Sequence, residues 1–354
     1  MKLTTWLSSA AASICLVTLS ALSPATVEAA SPNSHQPTSP NTLAMATEIA
    51  QATDYEQLVE SGYDAFQAGD YEQALQTFEQ AIRLDDSQEA AWTGKGLSLY
   101  FMRQLDPAIA AFETAIARND RSYSAWLWMA NALDDKGDLA AALEAYEQAI
   151  ALNPDHYGGY YHRGIALYNA GQYADAAATL QQSTQRQPDH APSWVKLGQS
   201  YLNLENYAAA VAAFDKAIAL DDTIGQAWHG KGLALFSQEQ YEQALAAFDQ
   251  TIVLMPQGAW GWLYHGHSLS LLGRYEEALA SYEEAIALRP DWAIAWFRKG
   301  AILAALGDYQ AALAAVEQAL ALDPELTSAQ ELRAELQRQL SQLPNEAVAN
   351  NLWM

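Results

Sequence analysis

The sequence predicts an all-α solenoid, and three observations lead to that fold class. A phrase recurs along the chain: "GDYEQALQTFEQAI" begins at residue 69 and "GDYQAALAAVEQAL" begins at residue 307. Eight copies with a period of 34 residues tile residues 55–326 without an insertion, which is typical of repeat solenoids. The chain is 51% hydrophobic, only 17% charged and rich in Ala and Leu, a composition that favours packed helices.

The N-terminal segment is of a different kind. A long apolar stretch is followed by Pro24 and by "VEA" at 27–29, so residues 1–29 are predicted to be a signal peptide cleaved after Ala29. A permanent membrane anchor stays open as the alternative, because the apolar stretch approaches spanning length. The only cysteine, Cys15, lies in this segment, so the mature chain is expected to lack disulfides.

Residues 30–54 are predicted to be a flexible linker. They include "SPNSHQPTSPNT", which is rich in Ser, Pro and Asn and has no hydrophobic period. No other stretch of the mature chain is long and apolar enough to be expected to span a bilayer.

Each 34-residue unit, numbered from Tyr55 as position 1, predicts two helices. Positions 4, 8 and 11 share one face of the first helix, and positions 20, 24 and 27 share one face of the second. Positions 8 and 20 are small and positions 4 and 24 are mostly large, so the helices should approach closely around buried rings, including the tryptophans at position 4. "GD" at positions 15–16 predicts a turn, and Pro or Asp at position 32 ends the second helix.

This pattern resembles the tetratricopeptide repeat family, whose W-x2-L-G-x2-Y, A-x3-F and terminal-Pro motifs recur throughout residues 55–326. The departures are local, namely Leu58 in place of the first tryptophan and Arg103 in place of a glycine. The resemblance implies a right-handed superhelical solenoid of eight 34-residue helix-turn-helix repeats plus a C-terminal capping helix. Its repeats are 55–88, 89–122, 123–156, 157–190, 191–224, 225–258, 259–292 and 293–326. The sequence style is similar to that of exported bacterial members, including cyanobacterial ones.

The open end of such an array needs a cover. Residues 327–342 predict a capping helix, because Leu332, Leu336 and Leu340 line one side of an otherwise polar segment. Residues 343–354 show no pattern and are predicted to be a tail.

Charge and motifs argue against several functions. The 18 basic and 42 acidic residues give a net charge of −24, which disfavours binding to nucleic acid and to anionic membranes. No nucleophile elbow, phosphate loop or dinucleotide fingerprint occurs, so the chain is predicted not to be an enzyme and to need no cofactor. His265 and His267 lie two residues apart on a helix and point to different sides, so no metal site is predicted.

The resemblance places a concave surface on the first helices, through positions 2, 5, 9, 12 and 13. Only Glu56, Asp134 and Asp135 are charged there, and none of these positions is basic. A long apolar stripe predicts a binding surface for a peptide. The predicted groove residues are Tyr63, Phe66, Leu97, Tyr100, Phe101, Leu127, Asn131, Tyr161, Ile165, Tyr168, Leu202, His229, Leu233, Phe236, Trp260, Leu263 and Phe297. Tighter packing between first helices, which would bury some of these side chains, is the alternative.

These expectations combine into one functional hypothesis. The chain is predicted to be an exported, non-enzymatic scaffold that binds protein or peptide segments in an apolar groove and serves the assembly or maintenance of an extracytoplasmic complex. The periplasm, or the thylakoid lumen of a cyanobacterium, would be its compartment. Two alternatives stay open: a self-associating structural scaffold that forms homo-oligomers, and an accessory subunit of an envelope enzyme.

Overall fold

The computed structural model describes the backbone of residues 40–342 and the side chains of residues 51–342. Within that range the chain forms seventeen helices and no strand, so the predicted all-α repeat fold is confirmed. The predicted signal peptide (1–29), the first part of the predicted linker (30–39) and the predicted tail (343–354) lie outside the described residues. The chain divides into two compact units, Met1–Asn153 and Pro154–Met354.

Unit one contains six helices that form three hairpins, each made of a first and a second helix of one repeat. Its helices are α1 (Pro40–Gln67), α2 (Tyr71–Leu84), α3 (Glu89–Phe101), α4 (Leu105–Arg118), α5 (Tyr123–Lys136) and α6 (Leu139–Leu152). The odd-numbered helices are the first helices. Each first helix packs on its own second helix and on the second helix of the preceding repeat.

Unit two contains five hairpins and a final helix. Its hairpin helices are α7 (Tyr157–Asn169), α8 (Tyr173–Arg186), α9 (Ala191–Asn203), α10 (Tyr207–Leu220), α11 (Gly225–Ser237), α12 (Tyr241–Leu254), α13 (Ala259–Leu271), α14 (Tyr275–Leu288), α15 (Ala293–Ala305) and α16 (Tyr309–Leu322). Helix α17 (Thr327–Gln342) follows them. Within each unit, successive first helices also contact each other, so together they make one continuous face.

Helix α1 corrects the predicted linker. Residues 40–54 were expected to be flexible, but α1 starts at Pro40 and runs for 28 residues into the first repeat. The Ser/Pro/Asn-rich composition ends at Thr42, and the residues that follow are mostly Ala, Met, Leu, Glu and Gln, which are good helix formers. Proline is well accommodated in the first turn of a helix, where the N–H it lacks would be unpaired.

The core lies between the hairpins, as the small and large positions predict. Alanine at position 20 and the large residue at position 24 are buried in every repeat, with exposures of 0–1%. The glycine at position 8 is needed for this contact: a Cβ on Gly198 would lie 2.8 Å from the ring of Phe214. The first helix of the following repeat then covers that ring with Ala227 and Ala234.

The tryptophans at position 4 are placed differently from the prediction. They are half-buried, and in six repeats the indole N–H donates to the backbone oxygen of position 32 in the preceding repeat, at 2.8–3.0 Å. Tyr160 makes the same bond to Pro154 through its hydroxyl at 3.2 Å. Position 4 therefore covers the junction between repeats and satisfies a carbonyl just beyond the second helix. The hydrophobic period of the sequence predicts which side of a helix such a residue lies on. It does not predict how deeply the side chain is buried.

Helix α17 caps unit two. Ala329 and Leu336 are buried at 0% and 1% exposure against the last hairpin. Gln330 occupies the place of a position-4 tryptophan, and its side-chain amide donates to the backbone oxygen of Pro324 at 2.6 Å. The last repeat is thus closed by the same kind of bond that joins the others.

Candidate binding surface on the first helices

The structure divides the seventeen predicted groove residues by burial. Six of them have exposures of 1–7% and belong to the core between helices. These six are Phe66, Leu97, Leu127, Asn131, Tyr161 and Leu263. These six side chains are packed between neighbouring helices, which is the alternative that the sequence left open.

The other eleven predicted residues keep part of their surface accessible. Ten are half-buried: Tyr63, Tyr100, Phe101, Ile165, Tyr168, Leu202, His229, Leu233, Phe236 and Phe297. Trp260 is 50% exposed. We call the surface formed by positions 2, 5, 6, 9, 12 and 13 of the first helices the first-helix face.

Unit one carries an aromatic cluster formed by its three first helices and by the start of the second helix α2. We define the unit-one cluster as Phe66, Tyr71, Tyr100, Phe101 and Trp128. The ring of Phe101 is central: its centroid lies 5.2 Å from that of Phe66, 5.3 Å from that of Tyr71 and 5.7 Å from that of Trp128. Tyr100 and Trp128 are 5.6 Å apart. These edge-to-face, stacked and tilted contacts hold the rings in a fixed wall.

Polar groups border this wall on α5. Asp135 forms an ion pair with Arg103, whose Nη1 lies 2.7 Å from its Oδ2. Asp134 is half-buried, and burial together with the charge of Asp135 raises its pKa. The Tyr146 hydroxyl is buried and donates to Asn131 Oδ1 at 2.7 Å, which explains why a polar residue is tolerated at that core position.

Unit two carries a second aromatic cluster, defined as Phe236, Trp260, Tyr264, His267 and Trp292. Trp260 lies 4.5 Å from Trp292, edge to face, and stacks on Tyr264 at 6.1 Å. Phe236 joins Tyr264 and His267 at 5.7 and 4.8 Å. Trp260 is therefore held by aromatic neighbours while half of its surface faces solvent.

Position 6 was missed by the sequence analysis, although it lies on this face. It contributes the ring of Trp128, which is only 9% exposed, the half-buried ring of Tyr264, and two basic residues, Lys196 and Arg298. The Lys196 Nζ lies 5.0 Å from the ring centre of Tyr168, and burial lowers its pKa. The sequence itself could have indicated position 6, because positions 2, 6, 9 and 13 also lie along one side of a helix.

The two histidines that might have suggested a metal point apart. His265 Nδ1 is 2.8 Å from Ser281 Oγ and its Nε2 is 3.0 Å from Asp249 Oδ1, whereas His267 packs on Phe236. Among residues 51–342, no group of three or more His, Asp or Glu side chains could hold a metal ion. No helix of the described part is both long enough and apolar enough to cross a membrane.

A tetratricopeptide repeat family profile matches most of the chain, at residues 59–100, 93–157, 129–191, 161–223, 195–259 and 265–349. The chain belongs to the tetratricopeptide repeat family. Tetratricopeptide repeats are in general non-enzymatic scaffolds for interactions between proteins. A comparison with curated proteins gave no match.

Solved structures with TM-scores of 0.51 are similar to this chain in fold. Pseudomonas aeruginosa pilF has 19% identity over 58% of this chain and 93% of that chain, with a TM-score of 0.51. The Cut9-Hcn1 hetero-tetramer of APC/C has 15% identity over 75% of this chain and 52% of that chain, with a TM-score of 0.51. YrrB, described as a TPR protein with an unusual peptide-binding site, has 23% identity over 53% and 96%, with a TM-score of 0.48.

Proposed function

We propose that the chain is a non-enzymatic scaffold whose first-helix face binds extended or helical segments of other proteins. The observation that carries this proposal is Trp260, an aromatic side chain that is 50% exposed on a first helix and is held in place by Tyr264 and Trp292. A large ring that is already ordered loses little conformational entropy on binding, which is how hot-spot residues anchor a partner. The half-buried Phe236 and Leu233 extend the apolar surface beside it.

The experiment is selection of random twelve-residue peptides displayed on phage, followed by titration of the enriched peptides. For peptides bound through unit two, Trp260→Ala should weaken affinity at least about 30-fold, the lower bound for a hot-spot residue. Its melting temperature should stay close to that of the wild type, because a half-exposed ring contributes little to the core.

Val253→Ala is the matched control, because Val253 is apolar and 71% exposed but lies on the second helix α12. It should leave peptide binding unchanged. The proposal fails if no peptide is enriched above background, or if Val253→Ala weakens binding as much as Trp260→Ala.

We further propose that this scaffold works outside the cytoplasm, in the assembly or maintenance of a complex. The support is the sequence of residues 1–29, with its apolar stretch, Pro24 and the small-residue ending at Ala29. Mass spectrometry of the protein from its native host should find an N-terminus at Ala30 in the exported fraction. An intact Met1 in the membrane fraction would instead show a retained anchor, and an intact Met1 in the cytosol would contradict export.

A further inference from the structure

We propose that the unit-one cluster, together with Asp134, binds a basic side chain, lysine or arginine, carried by an otherwise apolar segment of a partner protein. This inference rests on the proposed function and adds the chemistry of the partner that unit one selects.

Asp134 lacks a counter-charge. No described residue donates a hydrogen bond to its carboxylate or forms an ion pair with it, although the residue is half-buried at position 12 of the first-helix face. Its neighbour Asp135 is satisfied by Arg103 at 2.7 Å. Partial burial of a carboxylate without a partner costs solvation free energy. A cation from a partner protein would therefore be favoured twice, because it forms a new contact and offsets this desolvation cost.

The rings beside Asp134 fit a cation. Asp134 and Tyr100 occupy position 12 of neighbouring first helices, which contact each other. Burial raises the pKa of the Tyr100 hydroxyl, and the charge of Asp135, with a smaller contribution from Asp134, raises it further. The Tyr100 ring in turn contacts Trp128. Trp128 is only 9% exposed, so the accessible ring beside Asp134 is that of the half-buried Tyr100. A tyrosine face attracts lysine and arginine, and the apolar stem of either side chain can lie along the ring.

Charge decides between possible occupants. With a net charge of −24, the protein attracts basic segments and repels acidic ones. Away from Asp134 the wall continues with the half-buried rings of Tyr71 and Phe101, which pack on the buried Phe66 and offer mainly apolar surface. The fitting occupant therefore places a Lys or Arg at the Asp134 end and apolar residues along the remaining rings.

The test is the same random-peptide selection, run in parallel with the wild type, Asp134→Asn and Glu113→Gln. Glu113 is an exposed acid on the second helix α4, so its variant removes one charge elsewhere on unit one. The wild type and Glu113→Gln should enrich peptides with Lys or Arg at one fixed place next to apolar residues. Asp134→Asn should lose the basic residue but keep the apolar ones.

Titration then measures the effect on one enriched peptide and on its Lys→Gln analogue. The wild type should bind the lysine peptide about 10-fold more tightly than the glutamine analogue, as expected for one charge-assisted contact with cation–π support. Asp134→Asn should abolish that difference. Circular dichroism checks that the variant is folded, and its melting temperature should not fall, because an unpaired carboxylate is removed.

Three outcomes overturn the inference. Peptides that are apolar without a fixed basic residue would reject the cation site and leave the proposed function intact. Equal enrichment of basic residues by Asp134→Asn would assign the preference to the overall negative charge. Absence of any enriched peptide for the wild type would reject the proposed function as well.

Discussion

Glu205 stands at the turn between two helices in a backbone conformation that favours glycine. Its φ is +57°, and Arg103 and Glu239 at the equivalent position 15 have φ values of +62° and +60°. The other five repeats have glycine there, also with positive φ. The turn thus requires left-handed backbone in every repeat, and three repeats adopt it with a side chain that strains it.

Glu205→Gly should raise the free energy of unfolding by about 0.5–1 kcal/mol, because the strain removed exceeds the extra freedom glycine gives the unfolded chain. Urea denaturation followed by circular dichroism measures the change. The matched control is Gly171→Ala, which adds a Cβ at the same position of another repeat and should lower stability by about 1–2 kcal/mol. A destabilising Glu205→Gly would mean that the glutamate side chain contributes more than the turn conformation.

The histidines of the described part should make the fold sensitive to mild acid. Burial lowers the pKa of His162, His190 and His267 to about 4. An unfolded histidine titrates near pH 6.5, so between that pH and about 4 the unfolded chain binds more protons than the folded chain. Stability is therefore fully present above pH 6.5 and is lost as the pH falls through this window.

We expect the free energy of unfolding to drop by up to about 5 kcal/mol between pH 7 and pH 5, because each of the three histidines contributes up to about 2 kcal/mol. Urea titrations at a series of pH values measure it. His190→Gln, which keeps a polar group near Ser193, should make the profile shallower. A profile that is flat down to pH 5 in the wild type would show that the histidines are protonated without loss of structure.

At the scale of the helix pair, the bond from position 4 to position 32 ties each repeat to the one before it. In α9 the Trp194 indole donates to the Pro188 oxygen at 2.8 Å. Trp194→Phe keeps most of the ring but loses the N–H, and should lower the free energy of unfolding by about 1 kcal/mol. Trp194→Ala should cost about 2–4 kcal/mol, since contact area is lost as well.

Thermal and urea denaturation of both Trp194 variants measure this. Trp260→Phe is the control, because half of that tryptophan faces solvent, and it should change stability by less than about 0.5 kcal/mol. If Trp194→Phe were as stable as the wild type, the ring alone would hold the junction.

The elements were predictable to different degrees. Alanine at position 20 and the large residue at position 24 identified the core, because no other arrangement buries such a repeating pair. The partial burial of Trp194 was not predictable from the sequence. Its indole N–H donates to a backbone carbonyl of the preceding repeat, and the hydrophobic period does not indicate that bond. The helix over 40–54 was missed because the Ser/Pro/Asn composition was extended past Thr42.

The candidate surface could be predicted only in part, for a related reason. Helical spacing indicated which side of α5 faces the stripe, but burial of Asn131 depends on its bond to Tyr146 in the neighbouring helix. Trp128 at position 6 was missed, although it joins Tyr100 and Phe101. Contacts between helices, rather than spacing along one helix, decide which rings are exposed.

For the whole molecule, the acid excess should make stability rise with salt. A net charge of −24 produces self-repulsion that added ions screen. Salt also weakens ion pairs such as Lys231–Asp215 and Lys299–Glu283, but exposed pairs contribute only about 0–1 kcal/mol each. We expect the melting temperature to increase by a few degrees between about 20 and 500 mM NaCl. A decrease, in a calorimetric scan at pH 7.5, would show that the ion pairs outweigh the repulsion.

The recurring bond between a position-4 donor and a position-32 oxygen also bears on how such a gene can change. Recombination in the same phase among repeats two to eight joins the end of one repeat to the start of another. The product again sets a donor from Trp228 or its counterparts against a loop carbonyl. The gain or loss of such a copy therefore leaves the position-4 to position-32 bond intact at the new boundary between repeats, and no further mutation is needed to restore it. Array length can therefore drift by whole repeats within a lineage, while the sequence within each repeat stays under selection.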